Sequence, residues 1–94
     1  MKLIVNNELL DIFKDLLNRN LTLTEWSEIE SCDEFQTDNF CGGFDATEME
    51  FCFSYYDKNK TEYWFQKSLN DLKDIANGKM TEFQIRLAEW KSLE

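Results

Sequence analysis

Residues 48–56 read Glu-Met-Glu-Phe-Cys-Phe-Ser-Tyr-Tyr, and no other stretch of the chain narrows the fold as much. Met49, Phe51, Phe53 and Tyr55 alternate with Glu50, Cys52, Ser54 and Tyr56. Successive side chains of a strand point to opposite faces, so a period of two predicts a half-buried strand with the first set turned to a core. Asp57-Lys58-Asn59-Lys60 is a polar turn, and residues 61–66, rich in aromatic rings, are the returning strand. Together they predict an antiparallel hairpin over residues 47–66.

Helical spacing flanks the hairpin. Leu9, Leu10, Ile12, Phe13, Leu16 and Leu17 recur at intervals of three and four, one broad apolar face, with Asn7 as the expected cap and Asn20 as the expected left-handed stop. Thr22 with Glu25 has the capping-box form and predicts a short helix from Leu23 to about Ser31. Ser68 with Asp71 predicts another helix, lined by Leu69, Leu72, Ile75 and Ala76 and stopped by Gly78. Thr81 with Gln84, and Phe83, Leu87 and Trp90 at spacings of four and three, predict a final helix over 81–91; the rival is a strand through Phe83, Ile85 and Leu87. Residues 2–5 are a short strand or a lead into the first helix. A strand is expected around 34–41, and Gly42-Gly43 after it fits a turn, a bulge or a close backbone approach. The expected fold is therefore α+β: one domain over 1–94, with a small antiparallel sheet (the hairpin plus one or two further strands) packed against N- and C-terminal helices. Eight Phe, three Trp and three Tyr supply its core.

Charge is distributed unevenly. Residues 20–57 hold ten carboxylates and no Lys or Arg, whereas the rest of the chain has nine acids and ten bases. The whole net charge of −9 thus lies in one contiguous stretch. An acidic surface keeps a protein soluble. A field of one sign also speeds encounter with a positive partner and repels like-charged ones. Direct binding to nucleic acid or to an anionic membrane is not expected, since both need clustered Lys and Arg and the chain has two Arg and no basic stripe. The apolar run at Leu3-Ile4-Val5 is too short for a secretory segment or a membrane span, so the expected location is cytoplasmic.

The residues for catalysis are sparse. There is no His, the usual general base near neutral pH. Cys41, in an expected loop beside Gly42-Gly43, is the candidate nucleophile, but Asp38 and Asp45 nearby would raise a thiol pKa. Cys32, Cys41 and Cys52 without His are one ligand short of a structural zinc site and read as reduced packing thiols. Glu48 and Glu50 share one side of the strand, a spacing too generic to mean hydrolysis. Asp57-Lys58-Asn59-Lys60-Thr61 opens like a calcium loop but lacks its glycine and its closing glutamate. No catalytic residue, cofactor or metal is expected.

From Gly42 to Gly78, the Gly-Gly-Phe-Asp entry, the acidic strand, the Glu-Tyr-Trp-Phe return and the Ser-capped helix resemble the small acidic immunity proteins of bacterial toxin systems of the contact-dependent inhibition type. That resemblance implies inhibition of a cognate basic toxin or nuclease domain by binding over its cationic groove. The same physics would serve a phage-encoded, DNA-mimicking antagonist of a host nucleic-acid machine. The expected partner surface is Glu28, Glu30, Asp33, Glu34, Asp38, Asp45, Glu48 and Glu50, with Trp26 and Tyr56 as aromatic anchors.

Overall fold

The computed structural model describes residues 1–29 and 34–88. In chain order its elements are β1 (Lys2–Ile4), α1 (Asn7–Asn18), α2 (Leu23–Ser27), β2 (Phe35–Gln36), β3 (Phe40–Asp45), β4 (Glu50–Tyr56), β5 (Glu62–Lys67), α3 (Leu69–Ala76), β6 (Glu82–Gln84) and β7 (Arg86–Leu87). The fold is α+β. A five-stranded antiparallel sheet has the order β2-β3-β4-β5-β7, and β1 pairs with β6 in a separate two-stranded ribbon.

The hairpin forms as its alternation dictates. Phe53 stands opposite Phe65, and Tyr55 opposite Tyr63. The Asp57 carboxylate closes the turn by accepting from the backbone N–H of Asn59 and Thr61, each at 2.9 Å. Met49 departs from the expectation. It lies before the strand, in the left-handed region (φ 55°), with its side chain exposed.

Both capping boxes are present. Thr22 and Ser68 accept from the N–H of Glu25 and Asp71, each 3.1 Å away, and the two acids bond back to the cap N–H. Helix α1 is capped one residue earlier than expected. Asn6 keeps an extended backbone and accepts from Leu9 N–H at 2.9 Å, while Asn7 is already helical. Asn20 (φ 54°) and Gly78 (φ 78°) take the left-handed conformation after α1 and α3.

Three further expectations are corrected. The hairpin gains three partner strands rather than one or two. Gly42-Gly43 is not a turn but the middle of β3, where the close-approach reading holds: a Cβ at Gly42 would run into the Cys52 carbonyl and crowd the Phe35 ring. The helix expected over 81–91 is replaced, within the described residues, by β6 and β7; residues 89–91 of that expectation lie outside them. Phe83 and Ile85 are buried between exposed Glu82, Gln84 and Arg86, so the period is two, as the rival reading had it. Chain-to-chain bonds then outcompete the local helix: Val5 N–H to Thr81 O at 3.0 Å, Ile85 N–H to Met1 O at 2.8 Å and Ala88 N–H to Glu62 O at 3.0 Å. Leu87 breaks the alternation and is exposed.

The core is a layer of rings between the helices and one sheet face. Leu9, Ile12, Phe13 and Leu16 of α1, Trp26 of α2, and Leu72 and Ile75 of α3 meet Phe40, Phe44, Phe51, Phe53 and Phe65. Phe53 stacks on Phe65 (4.8 Å, 5°) and takes Phe13 edge-on (5.2 Å, 76°). Trp26 meets Phe51 edge-on at 5.0 Å. Aromatic pairs in such geometries contribute about 0.5–1.5 kcal/mol each beyond their buried area. Among the described residues, no helix is long and apolar enough to cross a membrane.

Candidate functional site

Alternation along β3, β4 and β5 gives the sheet a second face, turned away from α1, α2 and α3. Cys41, Gly43 and Asp45 lie on it from β3, Glu50, Cys52 and Ser54 from β4, and Trp64 and Gln66 from β5. The register sets Ser54 between Cys41 and Trp64, and Cys52 between Gly43 and Gln66. A shallow hollow of ≈ 490 Å³ opens on this outer face, lined among others by Cys41, Gly43, Asp45, Cys52, Ser54 and Trp64.

The β3–β4 turn fixes the rim of that hollow. Asp45 accepts from the N–H of Thr47 (2.9 Å) and of Glu48 (3.4 Å), which bends the chain back within a few residues. The turn leaves Asp45 directly across from Glu50 in the β3–β4 ladder, with Glu48 exposed at the tip. Like charges directly opposite each other destabilise a sheet. Among the described residues, none of these three carboxylates forms an ion pair.

Cys41 and Cys52 are both free, half-buried thiols. Gln66 Nε2 donates to Cys52 Sγ at 3.2 Å, and Asp45 Oδ2 lies 3.9 Å from it. Burial pushes the Cys52 thiol above its ordinary pKa; the Gln66 bond pulls it down, and the Asp45 carboxylate adds to the rise. Cys41 is not in a loop as expected but within β3, and it is Cys52 that touches Asp45. The described polar neighbours of Cys52 are an amide and a carboxylate, and the carboxylate holds the thiol in its protonated form rather than activating it.

A second acidic surface lies on the opposite side of the β2 edge. Glu8, Asp11 and Asp15, spaced three and four along α1, share a groove with Glu34, Phe35, Gln36 and Thr37. Arg19 closes one end: its guanidinium reaches Asp15 at 3.2 Å, the Glu34 carboxylate at 2.8 Å and the Glu34 carbonyl at 3.0 Å. At the other end Glu8 accepts from Asn39 Nδ2 at 3.0 and 3.1 Å. Asp11 has no ion-pair partner among the described residues. Sequence reasoning missed these three helix acids because it counted charge by stretches. Their spacing places them on one helix face and would have revealed them.

The residues of the expected partner surface therefore have different fates. Trp26 is corrected outright: it is 0% exposed, wedged between Phe44 and Phe51 beneath Arg19, and has no surface to offer. Glu30 and Asp33 lie outside the described residues. Glu34 is corrected as a free contact, being ion-paired to Arg19 with its side chain 14% exposed. Glu28 is exposed at the end of α2 and Asp38 in the β2–β3 turn. Asp45, Glu48 and Glu50 are brought together at the β3–β4 end, while Tyr56 lies half-buried at the other end of β4. The run 20–57 does not fold into one patch. Its acids divide between the two ends of the sheet, because β3 and β4 carry the chain from one end to the other and back. Among the described residues, no three Cys, Asp or Glu side chains are grouped to hold a metal ion. No family model, curated protein or solved structure matches the chain.

Proposed function

We propose that this protein is a non-catalytic, inhibitory binding protein of the immunity type, which neutralises a basic toxin or nuclease domain by covering its cationic groove. One observation carries the reading: Glu28, Asp11, Asp38, Asp45, Glu48 and Glu50 form no ion pair among the described residues. A surface with this charge imbalance repels itself and gains by meeting a cationic partner. The unpaired acids lie on α1, at the end of α2, in the β2–β3 turn and around the β3–β4 turn, so the proposed contact surface is not confined to the 20–57 run. Charges on the rim of such an interface act mainly on the association rate and its salt dependence.

The test is affinity capture from the native host at low and high salt, with the wild-type chain and the variant Asp11→Asn/Asp38→Asn/Glu48→Gln/Glu50→Gln. The expected result is a basic protein held at low salt and released at high salt, whose association with the variant is slower and less salt-dependent. Recovery of no basic partner, or association kinetics identical for the two chains, overturns the reading.

A further inference from the structure

We propose that Asn77 is a self-modifying site, at which the chain's own backbone converts the side-chain amide to a carboxylate when the last turn of α3 frays. The inference is independent of the binding function above and draws on a different part of the molecule. Asn77 is followed by Gly78, and it is the one asparagine of the chain with glycine after it. Glycine has no side chain to shield its nitrogen and moves through backbone conformations that other residues avoid. Asn77 and Gly78 are both exposed, and beyond its chain neighbours no heavy atom lies within 4 Å of where a Gly78 Cβ would stand, so base and water reach the pair. Asn77 also ends α3, with Gly78 (φ 78°) in the left-handed conformation after it, and helix ends fray at the lowest opening free energies of a fold.

Closed, the cap resists the reaction. Gly78 N–H donates to Ile75 O at 3.1 Å, and the ψ of 4° at Asn77 turns the Gly78 nitrogen away from the side-chain amide. Lys79 N–H and Met80 N–H tie the chain beyond it to Asp74 O, at 2.8 and 3.3 Å. When these bonds open, hydroxide takes the Gly78 proton and the nitrogen attacks Asn77 Cγ. The new C–N bond closes a cyclic imide as the Cγ–Nδ2 bond breaks, and ammonia leaves with a proton returned by water. Water then opens the imide at one of its two carbonyls, which gives aspartate or an isoaspartyl link. In sum, asparagine and water give an acid and ammonia, with no change in oxidation state. Either product puts a negative charge at the negative end of the α3 dipole, where it is unfavourable. The isoaspartyl link also lengthens the backbone within the cap itself.

The test is incubation of the full chain at pH 8 in ¹⁸O-water, in buffer and in parallel in urea, followed by peptide mass mapping with fragmentation that separates aspartate from isoaspartate. In buffer, Asn77 should lose its amide and take up solvent oxygen before Asn18, Asn59 or Asn70, which are exposed but lack a following glycine. Aspartate and isoaspartate should both form. In urea the conversion should run about 5- to 30-fold faster, the factor by which a closed cap of modest stability slows it. Asn77→Gln, an exposed change, should fold like the wild type by circular dichroism and abolish the early conversion of that peptide. An intact Asn77 in buffer after the urea sample has fully converted overturns the proposal. So does conversion of Asn18, Asn59 or Asn70 as fast as that of Asn77. Equal rates in buffer and in urea overturn the gating by the end of α3.

Discussion

Phe53 and Cys52 are neighbours in β4 and point into different chemistry. Phe53 is 1% exposed and meets the rings of Phe13, Phe35, Phe51 and Phe65. Cys52, one residue earlier, sits on the other face with a glutamine donor and a carboxylate beside it. The inner face of the sheet is almost wholly aromatic and lies under α1, α2 and α3; the outer face is built of thiols, glycine, serine, acids and one tryptophan. The buried rings of the sheet lie on the inner side. The outer side tolerates groups that a core would reject, including two opposed carboxylates. The first face specifies the fold, and the second is free to be specified by something else.

The sharpest way to break this division is substitution on alternate positions of one strand pair. Phe53→Ala should destabilise the protein by about 3–5 kcal/mol, read from urea unfolding, because it removes a buried ring that packs on four others. A loss under about 1 kcal/mol would mean that the ring layer is not the core. Gly42→Ala comes next, at upwards of about 1 kcal/mol, since its methyl group meets the Cys52 carbonyl across the ladder. A neutral result would show that β3 and β4 can spread apart. Cys41→Ser, on the outer face one residue from Phe40, should change stability by about 0.5 kcal/mol or less. A cost like that of Phe53→Ala would erase the distinction between the faces. The smallest effect is kinetic. Burial raises the Cys52 pKa, so its reactive thiolate is scarcer than in the unfolded chain at pH 8. Iodoacetamide should modify Cys52 more slowly in buffer than in urea, as followed by peptide mass mapping, with the gap narrowing as pH rises through the raised value. Equal rates at pH 8 would show that the thiol is not protected.

Much of the inner face was legible in the sequence. The alternation from Phe51 to Tyr55, the two capping boxes and the apolar spacing of α1 each follow from local periodicity, and each appears where local rules place it. The failures are of another kind. Residues 82–87 carry a capping-box pattern and helical spacing, yet become strands because Met1, Thr81 and Glu62 offer backbone partners that no local rule can see. Trp26 looked like an anchor because it lies among acids in sequence; in space it lies beneath Arg19 and between two Phe rings. The acidic run was legible as composition but not as a surface. Antiparallel strands turn sequence neighbours into residues at opposite ends of the sheet, and they bring α1 acids of the charge-balanced remainder to the edge occupied by Glu34.

The lengths of the strands have a consequence of their own. Long strands β3, β4 and β5 occupy the interior of the sheet, while each border, β2 and β7, is two residues long. An unpaired strand is a template on which another chain can stack, and a short one gives an intruder too few backbone groups to hold. Among the described residues, the sheet thus stops itself at both margins. Short borders of this kind are one brake on edge-to-edge stacking of an aromatic-rich chain, and the mutual repulsion of its carboxylates is another.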